Sequence, residues 1–359
     1  MASSLETTFA REWLRRGPLA CALWPLSLLF RGLAAARRAA FAAGLSSSER
    51  LPVPVVVVGN IFIGGTGKTP LTIWLVEALR AAGFSPGVVS RGFGSKDAAP
   101  RAVSAGSTPA DVGDEPVLIA ARTGCPVFVG RQRAAAGRAL LAAHPDVNVI
   151  VTDDGLQHYA LARDVEVVLF DGRGVGNGWT LPAGPLREPP SRRRDFTVVN
   201  APQLTTALAA AVAPPGSGAG APWQMRLAGA VAERLADRAQ RMPLAELARQ
   251  AAAGEGQGAG LKVAAAAGIG NPGRFFAMLR AAGLQPQELP LPDHHDFKDR
   301  PFAAIEADIL LVTEKDAVKC WQIEELRNDP RIWVVPVSAS IDPALADQIV
   351  EKLRGRTPA

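Results

Sequence analysis

The chain has 359 residues, room for two domains with a core each, and 48% of them are hydrophobic, which excludes a disordered or low-complexity chain. Its net charge of +5 is concentrated at one end, because residues 1–50 carry seven arginines against three glutamates. The remainder is nearly neutral, so a nucleic-acid footprint over the body is not expected, and three distant cysteines (Cys21, Cys125 and Cys320) suit a reducing compartment rather than a disulfide framework or a zinc site.

Residues 1–50 read as a basic, apolar segment. Residues 17–30 are an apolar run between Arg15, Arg16 and Arg31, with prolines at 18 and 25. A simple helix needs about 20 apolar residues to cross a bilayer, and this run is shorter. It also lacks the small-residue cleavage pattern of a signal peptide. The expectation is an interfacial anchor, with Trp13, Trp24 and Phe30 among lipids and arginines at anionic headgroups.

Residues 51–206 predict a nucleotide-binding domain. Val55-Val-Val-Val58 suits a strand covered on both faces, and from Leu71 the apolar positions Leu71, Trp74, Leu75, Ala78 and Leu79 follow a helical period. Between strand and helix lies Phe62-Ile-Gly-Gly-Thr-Gly-Lys-Thr69. Glycines 64, 65 and 67 let backbone N–H groups around Phe62, Ile63 and Thr66 converge on phosphate oxygens, Lys68 supplies a mobile positive charge, and Thr69 offers a hydroxyl to magnesium. The loop departs from GxxxxGK[ST] at its first position, where Phe62 replaces glycine. By itself it also suits an ATPase or a metallochaperone-like GTPase.

Further strands follow at 86–90, 126–130, 147–151, 165–170 and 195–199, which with the first makes six in a mostly parallel α/β sheet. Ligands of such sheets gather beyond the carboxyl ends of the strands. That places Arg91, at the end of the second strand, and Arg131 and Arg133, after the third, as candidate phosphate partners, or as solvated arginines. Asp114 precedes a proline at a helix start, where an acidic residue commonly caps N–H groups. Asp153 and Asp154 end a strand and are costly to bury without a cation, so they are candidate magnesium ligands. The loop 181–194, rich in proline and arginine and containing Arg187 and Glu188, is expected to be an acceptor-binding or membrane-facing flap.

Residues 207–222, rich in alanine, glycine and proline, read as a linker, and 223–359 as a smaller α/β domain. Its expected strands are 223–227, 262–267, 308–312 and 332–337, with a flexible insertion at 251–260. Asn271 is expected to cap a helix that has Pro272 at its first position. His294 and His295 suit a surface turn or a site. Thr313-Glu-Lys-Asp316 suits either a phosphate-facing strand end or a helix start with Thr313 as cap.

Taken together, Gly59-Asn-Ile-Phe-Ile-Gly-Gly-Thr-Gly-Lys-Thr-Pro70, Ser90-Arg-Gly-Phe-Gly94, Gly113-Asp-Glu-Pro116, Asp153-Asp-Gly-Leu-Gln-His158, Leu181-Pro-Ala-Gly-Pro-Leu-Arg-Glu188, Asp293-His294 and Val312-Thr-Glu-Lys-Asp-Ala-Val-Lys319 resemble the tetraacyldisaccharide 4′-kinases of lipid A biosynthesis, in that family's order. The resemblance implies a P-loop kinase with a second, closing domain. It implies ATP and Mg²⁺ as cofactors and transfer of the γ-phosphate to the 4′-hydroxyl of a lipid-linked glucosamine disaccharide 1-phosphate, giving lipid IVA. The cytoplasmic face of a Gram-negative inner membrane is the implied location. Asp114 is implied as the base, His294 as its partner, Lys68 on the β and γ oxygens, and Thr69 with Asp153 or Asp154 on magnesium. Arg91, Arg131, Arg133 and Arg187 are implied to neutralise phosphates, with Gln157 and Glu188 orienting them.

Overall fold

The computed structural model describes residues 11–92, 99–253 and 260–355. Phe93 and Gly94 of the Ser90–Gly94 motif, and most of the expected insertion at 251–260, lie outside the described residues.

The first described element is a 25-residue helix, α1 (Pro18–Ala42). Pro18 sits in the first turn, where its missing N–H costs nothing, and Pro25 is carried inside the helix on its exposed side. The apolar run is therefore part of a longer helix, long and apolar enough by length and composition to cross a bilayer, although residues 17–30 alone were too short. One face of α1 is nevertheless committed to the protein body. Ser27 is buried, its hydroxyl donating to the Thr180 carbonyl at 2.7 Å and accepting from the Ala183 N–H at 2.9 Å. Trp13, just ahead of the helix, donates its indole N–H to the Pro182 carbonyl at 3.0 Å, so it faces the body rather than lipid. Leu26, Leu28, Leu29 and Leu33 remain exposed.

The body holds two sheets. The larger has nine strands: β1 (Val55–Asn60), β2 (Pro86–Ser90), β3 (Arg101–Ala102), β4 (Val127–Val129), β5 (Val149–Asp153), β6 (Val165–Asp171), β7 (Phe196–Asn200), β8 (Trp223–Ala228) and β15 (Ser338–Ile341). They lie in the order β15-β8-β7-β6-β1-β5-β2-β4-β3, and all neighbours are parallel except the edge strands β3 and β15. β1 sits near the centre, parallel to β5 and β6, and every one of its residues is buried, as expected of a valine run covered on both faces. Helix α2 (Lys68–Ala81) starts directly at the end of the glycine-rich loop and buries Leu71, Leu75 and Leu79.

The smaller sheet has six strands: β9 (Val231–Arg234), β10 (Arg241–Pro243), β11 (Val263–Ala267), β12 (Gln287–Pro290), β13 (Ile309–Thr313) and β14 (Ile332–Val335), in the order β10-β9-β14-β13-β11-β12. Its core is two separate clusters, one including Phe297, Phe302, Leu310 and Val312 and the other Phe275, Phe276, Leu279 and Leu311.

The boundary between the two lobes differs from the sequence expectation. β8, expected to open the second domain, pairs in parallel with β7 of the large sheet, and β15 pairs with β8. The last helix, α11 (Ala344–Arg354), buries Leu345, Ile349 and Leu353 in the core that also holds Leu71 and Leu75. Residues 207–222 therefore connect two strands of one sheet, and Thr206–Val212 form a helix, α6 in chain order, capped by the Thr205 hydroxyl. Composition registers polarity and flexibility but is blind to which sheet edge a strand pairs with, which is why the shift at 207 looked like a domain boundary. The chain crosses between lobes at 229–230 and 336–337. The two crossings touch, since a Cβ on Gly229 would stand 3.1 Å from the Pro336 carbonyl oxygen.

Candidate active site

Asn60 ends β1 and organises the glycine-rich loop from below. Its amide donates to the carbonyls of Phe62 (2.6 Å) and Gly64 (3.2 Å) and to the Thr66 hydroxyl (3.0 Å), while its carbonyl oxygen lies 3.4 Å from Lys68 Nζ. Asn200, at the end of β7, donates to the Thr66 carbonyl at 2.9 Å. Gly67 has φ of +101°, and a Cβ there would meet the Asn200 amide at 2.6 Å, so conformation and space both demand glycine. The Phe62 side chain is sealed in the core under the Arg173 guanidinium, so what this position offers a nucleotide is backbone. Ile63, Gly64 and Gly65 form the outer rim of the loop; Thr69 is buried beneath it, one residue into α2.

The loop 181–188 is bound to the front of this cradle. The Ile63 N–H donates to Pro185 and the Arg187 N–H to Ile61, at 2.9 and 2.7 Å. Arg187 Nη1 thereby comes within 3.4 Å of Asp154 Oδ1, which is itself 3.8 Å from Lys68 Nζ. Asp154 has φ of +52°, an uncommon conformation for a non-glycine residue, and turns its side chain to the cradle rather than along the strand. Gln157 donates to Glu188 at 3.0 Å. Glu188 is buried and ringed by Arg38, Tyr159, Gln157 and Arg192. Arg133 is buried with Nη2 3.3 Å from the Asp154 carbonyl, whereas Arg91 and Arg131 are exposed, Arg91 being near enough for its charge to act on Arg133.

Asp153 tests whether these residues fit a cation. Its Oδ1 accepts from Thr72 at 3.3 Å, and Oδ2 is buried with no hydrogen-bond partner. Burial, then the nearby Glu115 charge, push this carboxyl well above the ordinary carboxylate range despite Lys68. An orphaned buried carboxylate oxygen beside a threonine hydroxyl and a second aspartate is a hard oxygen donor set that fits Mg²⁺. Among the described residues no group of three or more His, Cys, Asp or Glu side chains is arranged to hold a metal alone, so phosphate oxygens or water would have to complete the shell.

Asp114 is the first residue of α4 (Asp114–Thr123), preceded by Gly113. Its Oδ1 accepts from the Glu115 N–H at 3.0 Å, and its Oδ2 lies 3.1 Å from His294 Nδ1. His294 reaches across from the small lobe on a turn with φ of +61°. Burial pushes the Asp114 carboxyl up, but the hydrogen bond from His294 and the charges of Lys315 and Lys319, 3.9 and 3.8 Å away, outweigh it and bring it to about 2. His294 is raised, first by its hydrogen bond to Asp114. His295 turns to Asp299 and the Phe297 N–H instead.

Thr313 is the cap of the helix α9 (Glu314–Cys320), accepting from the Asp316 N–H. The charges that follow are not solvated. Lys315 pairs with Glu115 at 3.1 Å and Glu314 with Arg122 at 2.7 Å, both across the lobes. Asn271 precedes the helix Pro272–Ala281 without a side-chain capping bond. Arg274 of that helix crosses to the large lobe, donating to Asp171 at 2.8 Å and to the Thr66 carbonyl at 3.3 Å. A Cβ on Gly270 would be 2.5 Å from the Gly65 nitrogen, so the lobes meet backbone to backbone at the cradle.

Sequence reasoning did not single out Asn60, Asn200, Arg274, Lys315 or Lys319 as site residues. Asn60 and Asn200 close strands, and Arg274, Lys315 and Lys319 are basic residues within helices, signals too common to select them. The partners of Asn200, Arg274 and Lys315 are moreover distant in sequence.

The family model of LpxK, tetraacyldisaccharide-1-P 4′-kinase, matches residues 19–354. A tetraacyldisaccharide 4′-kinase of Janthinobacterium sp. (strain Marseille) is 60% identical over 99% of both chains. One from Herminiimonas arsenicoxydans is 59% identical over 99% of this chain and 98% of its own. The crystal structure of LpxK from Aquifex aeolicus in complex with ATP superposes with a TM-score of 0.72 at 27% identity, covering 93% of this chain and 99% of that one. The chain belongs to the tetraacyldisaccharide-1-P 4′-kinase family.

Proposed function

We propose that this protein transfers the γ-phosphate of ATP to the 4′-hydroxyl of a tetraacyldisaccharide 1-phosphate, working on the cytoplasmic surface of a Gram-negative inner membrane. The observation that carries the catalytic assignment is the 3.1 Å contact between Asp114 and His294, made across the lobes. Glu115, the next residue, is close enough to influence the Asp153 carboxyl at the cradle.

Lys68 holds the β and γ oxygens, and backbone N–H groups of residues 62–69 take the remainder. Thr69, Asp153 and Asp154 are the residues that would hold Mg²⁺, which would offset phosphate charge. Arg133 and Arg187 sit beside Asp154 to complete that charge balance, and the exposed Arg91 and Arg131 add to it.

Asp114 accepts the proton of the acceptor hydroxyl. His294, Lys315 and Lys319 hold the carboxyl ionised and able to accept that proton, and a loose transition state asks little activation of the nucleophile. His294 orients the carboxylate, and because it comes from the small lobe the pair exists only when the lobes are together. The exposed leucines of α1 lie in the membrane, which lets the enzyme take the sugar head while the acyl chains stay in lipid.

The test is Asp114→Ala, assayed with labelled ATP and a tetraacyldisaccharide 1-phosphate while affinity for a non-hydrolysable ATP analogue is measured separately. The expected loss in turnover is about 10²–10⁴-fold with nucleotide affinity retained. Near-normal turnover would return Asp114 to a helix-start role. ATP hydrolysis without phosphorylated lipid would instead favour an ATPase.

A further inference from the structure

We propose that Arg38 of the N-terminal helix is a positioning residue for the phosphate site, so that the site is complete only while α1 is seated on the loop carrying Arg187 and Glu188. The inference rests on the kinase reading above.

A continuous polar path joins the two. Arg38 Nη1 lies 3.1 Å from Glu188 Oε2, and Gln157 Nε2 donates to Glu188 Oε1 at 3.0 Å. Arg187 Nη1 is 3.5 Å from Gln157 Oε1 and 3.4 Å from Asp154 Oδ1. Asp154 Oδ1 is 3.8 Å from Lys68 Nζ.

Glu188 is the pivot of this path. Its Oε2 accepts from Arg38, from the Tyr159 hydroxyl and from Arg192 Nε, which leaves Oε1 for Gln157. A buried carboxylate points where its donors hold it, so losing one of three on Oε2 turns the group and moves Oε1. Arg192 and Tyr159 still satisfy the charge, so removing Arg38 costs orientation rather than folding.

The helix geometry makes this contact sensitive to seating. At 100° per residue, Ser27 and Arg38 fall roughly 20° apart on the docked face, whereas Leu29 and Leu33 lie roughly 200° and 240° from Ser27. A helix with its leucines in lipid therefore presents Arg38 inward, to the same loop that Ser27 grips.

The experiment uses the full chain on vesicles of phosphatidylethanolamine and phosphatidylglycerol, comparing Arg38→Ala, Arg38→Lys, Gln157→Ala and the Arg38→Ala/Gln157→Ala double variant. Arg38→Ala is expected to lower kcat about tenfold, with acceptor KM and vesicle co-sedimentation unchanged. Arg38→Lys should recover part of the loss. The double variant should be no slower than Gln157→Ala alone, because both act along one path. Wild-type kcat in Arg38→Ala, a loss confined to acceptor KM or vesicle binding, or additive losses in the double variant would overturn the proposal. If the wild type itself makes no phosphorylated lipid, the same cycle is read as affinity for a magnesium-loaded, non-hydrolysable ATP analogue. A non-additive drop there keeps Arg38 in its role and overturns the acceptor assignment, whereas equal affinities overturn Arg38.

Discussion

Asp153 and Asp114 are both buried carboxylates, yet their surroundings drive them in opposite directions. Asp153 has a buried oxygen with no partner, and desolvation holds its carboxyl above the ordinary range. A carboxyl raised in the folded state binds protons more tightly there, so its charge destabilises the nucleotide-free protein increasingly as pH climbs from its unfolded value towards the raised one. Asp153→Asn should therefore stabilise the free protein, on the order of 1–3 kcal/mol at neutral pH, while weakening magnesium-dependent ATP affinity. Urea unfolding and calorimetric titration check the two halves; loss of stability would contradict the argument. Asp114 is held down to about 2, so its contribution is present above its unfolded value and disappears only as pH falls through about 2. His294→Ala removes the hydrogen bond among these causes, and the acid limb of kcat/KM is expected to move to higher pH. A slower enzyme with an unmoved limb would separate His294 from Asp114.

Among the elements, α9 shows how a local motif acquires a role by being packed. Thr313 caps the helix and its hydroxyl also donates to Asp316 Oδ2 at 2.6 Å, while Asp316 accepts from the Gly268 N–H at 2.9 Å. The capped helix start thus fixes the turn below His294, whose N–H donates to the Gly268 carbonyl at 3.2 Å. Thr313→Ala should cost about 1–2 kcal/mol in urea unfolding, and more in turnover than Thr313→Ser, which keeps the hydroxyl. Equal turnover in the two variants would show that the cap and the histidine are uncoupled. The Thr-Glu-Lys-Asp string made a cap legible, because capping depends on neighbours along the chain. Lys315 was illegible as a partner of Glu115, because that contact spans 200 residues.

Across the whole molecule, the lobes are joined by two adjacent crossings and held together by charge. Arg274 shares the buried Asp171 with Arg173, Lys315 pairs with Glu115, and Arg122 with Glu314. His294 adds a titratable member. Because its partner raises it, its contribution is fully present below its unfolded value near 6.5 and is lost as pH rises through the raised one. Raising pH across that window should loosen the lobes at the site while leaving both sheets intact. Amide exchange at Gly65 and Gly270 should quicken relative to β1 and β11 of the same sample. Arg274→Ala should produce the same local opening at any pH in that range, with ATP affinity reduced; unchanged exchange at Gly65 would remove Arg274 from the latch.

Much of this was written in local pattern. The valine run is buried on both faces as its pattern indicates, the glycine-rich loop lies between strand and helix, and the aspartates lie at a strand end beside it. The family resemblance added the pairing of Asp114 with His294, which no spacing in either segment contains. Tertiary structure alone decided which sheet β8 and β15 would join, that residues 207–222 stay within one lobe, that Glu188 is held by Tyr159, Gln157 and Arg192, and that Arg38 reaches it. Those outcomes depend on which edges, faces and charges meet in space, from β8 on β7 to Arg38 on Glu188 150 residues away, and one-dimensional periodicity carries no record of such encounters.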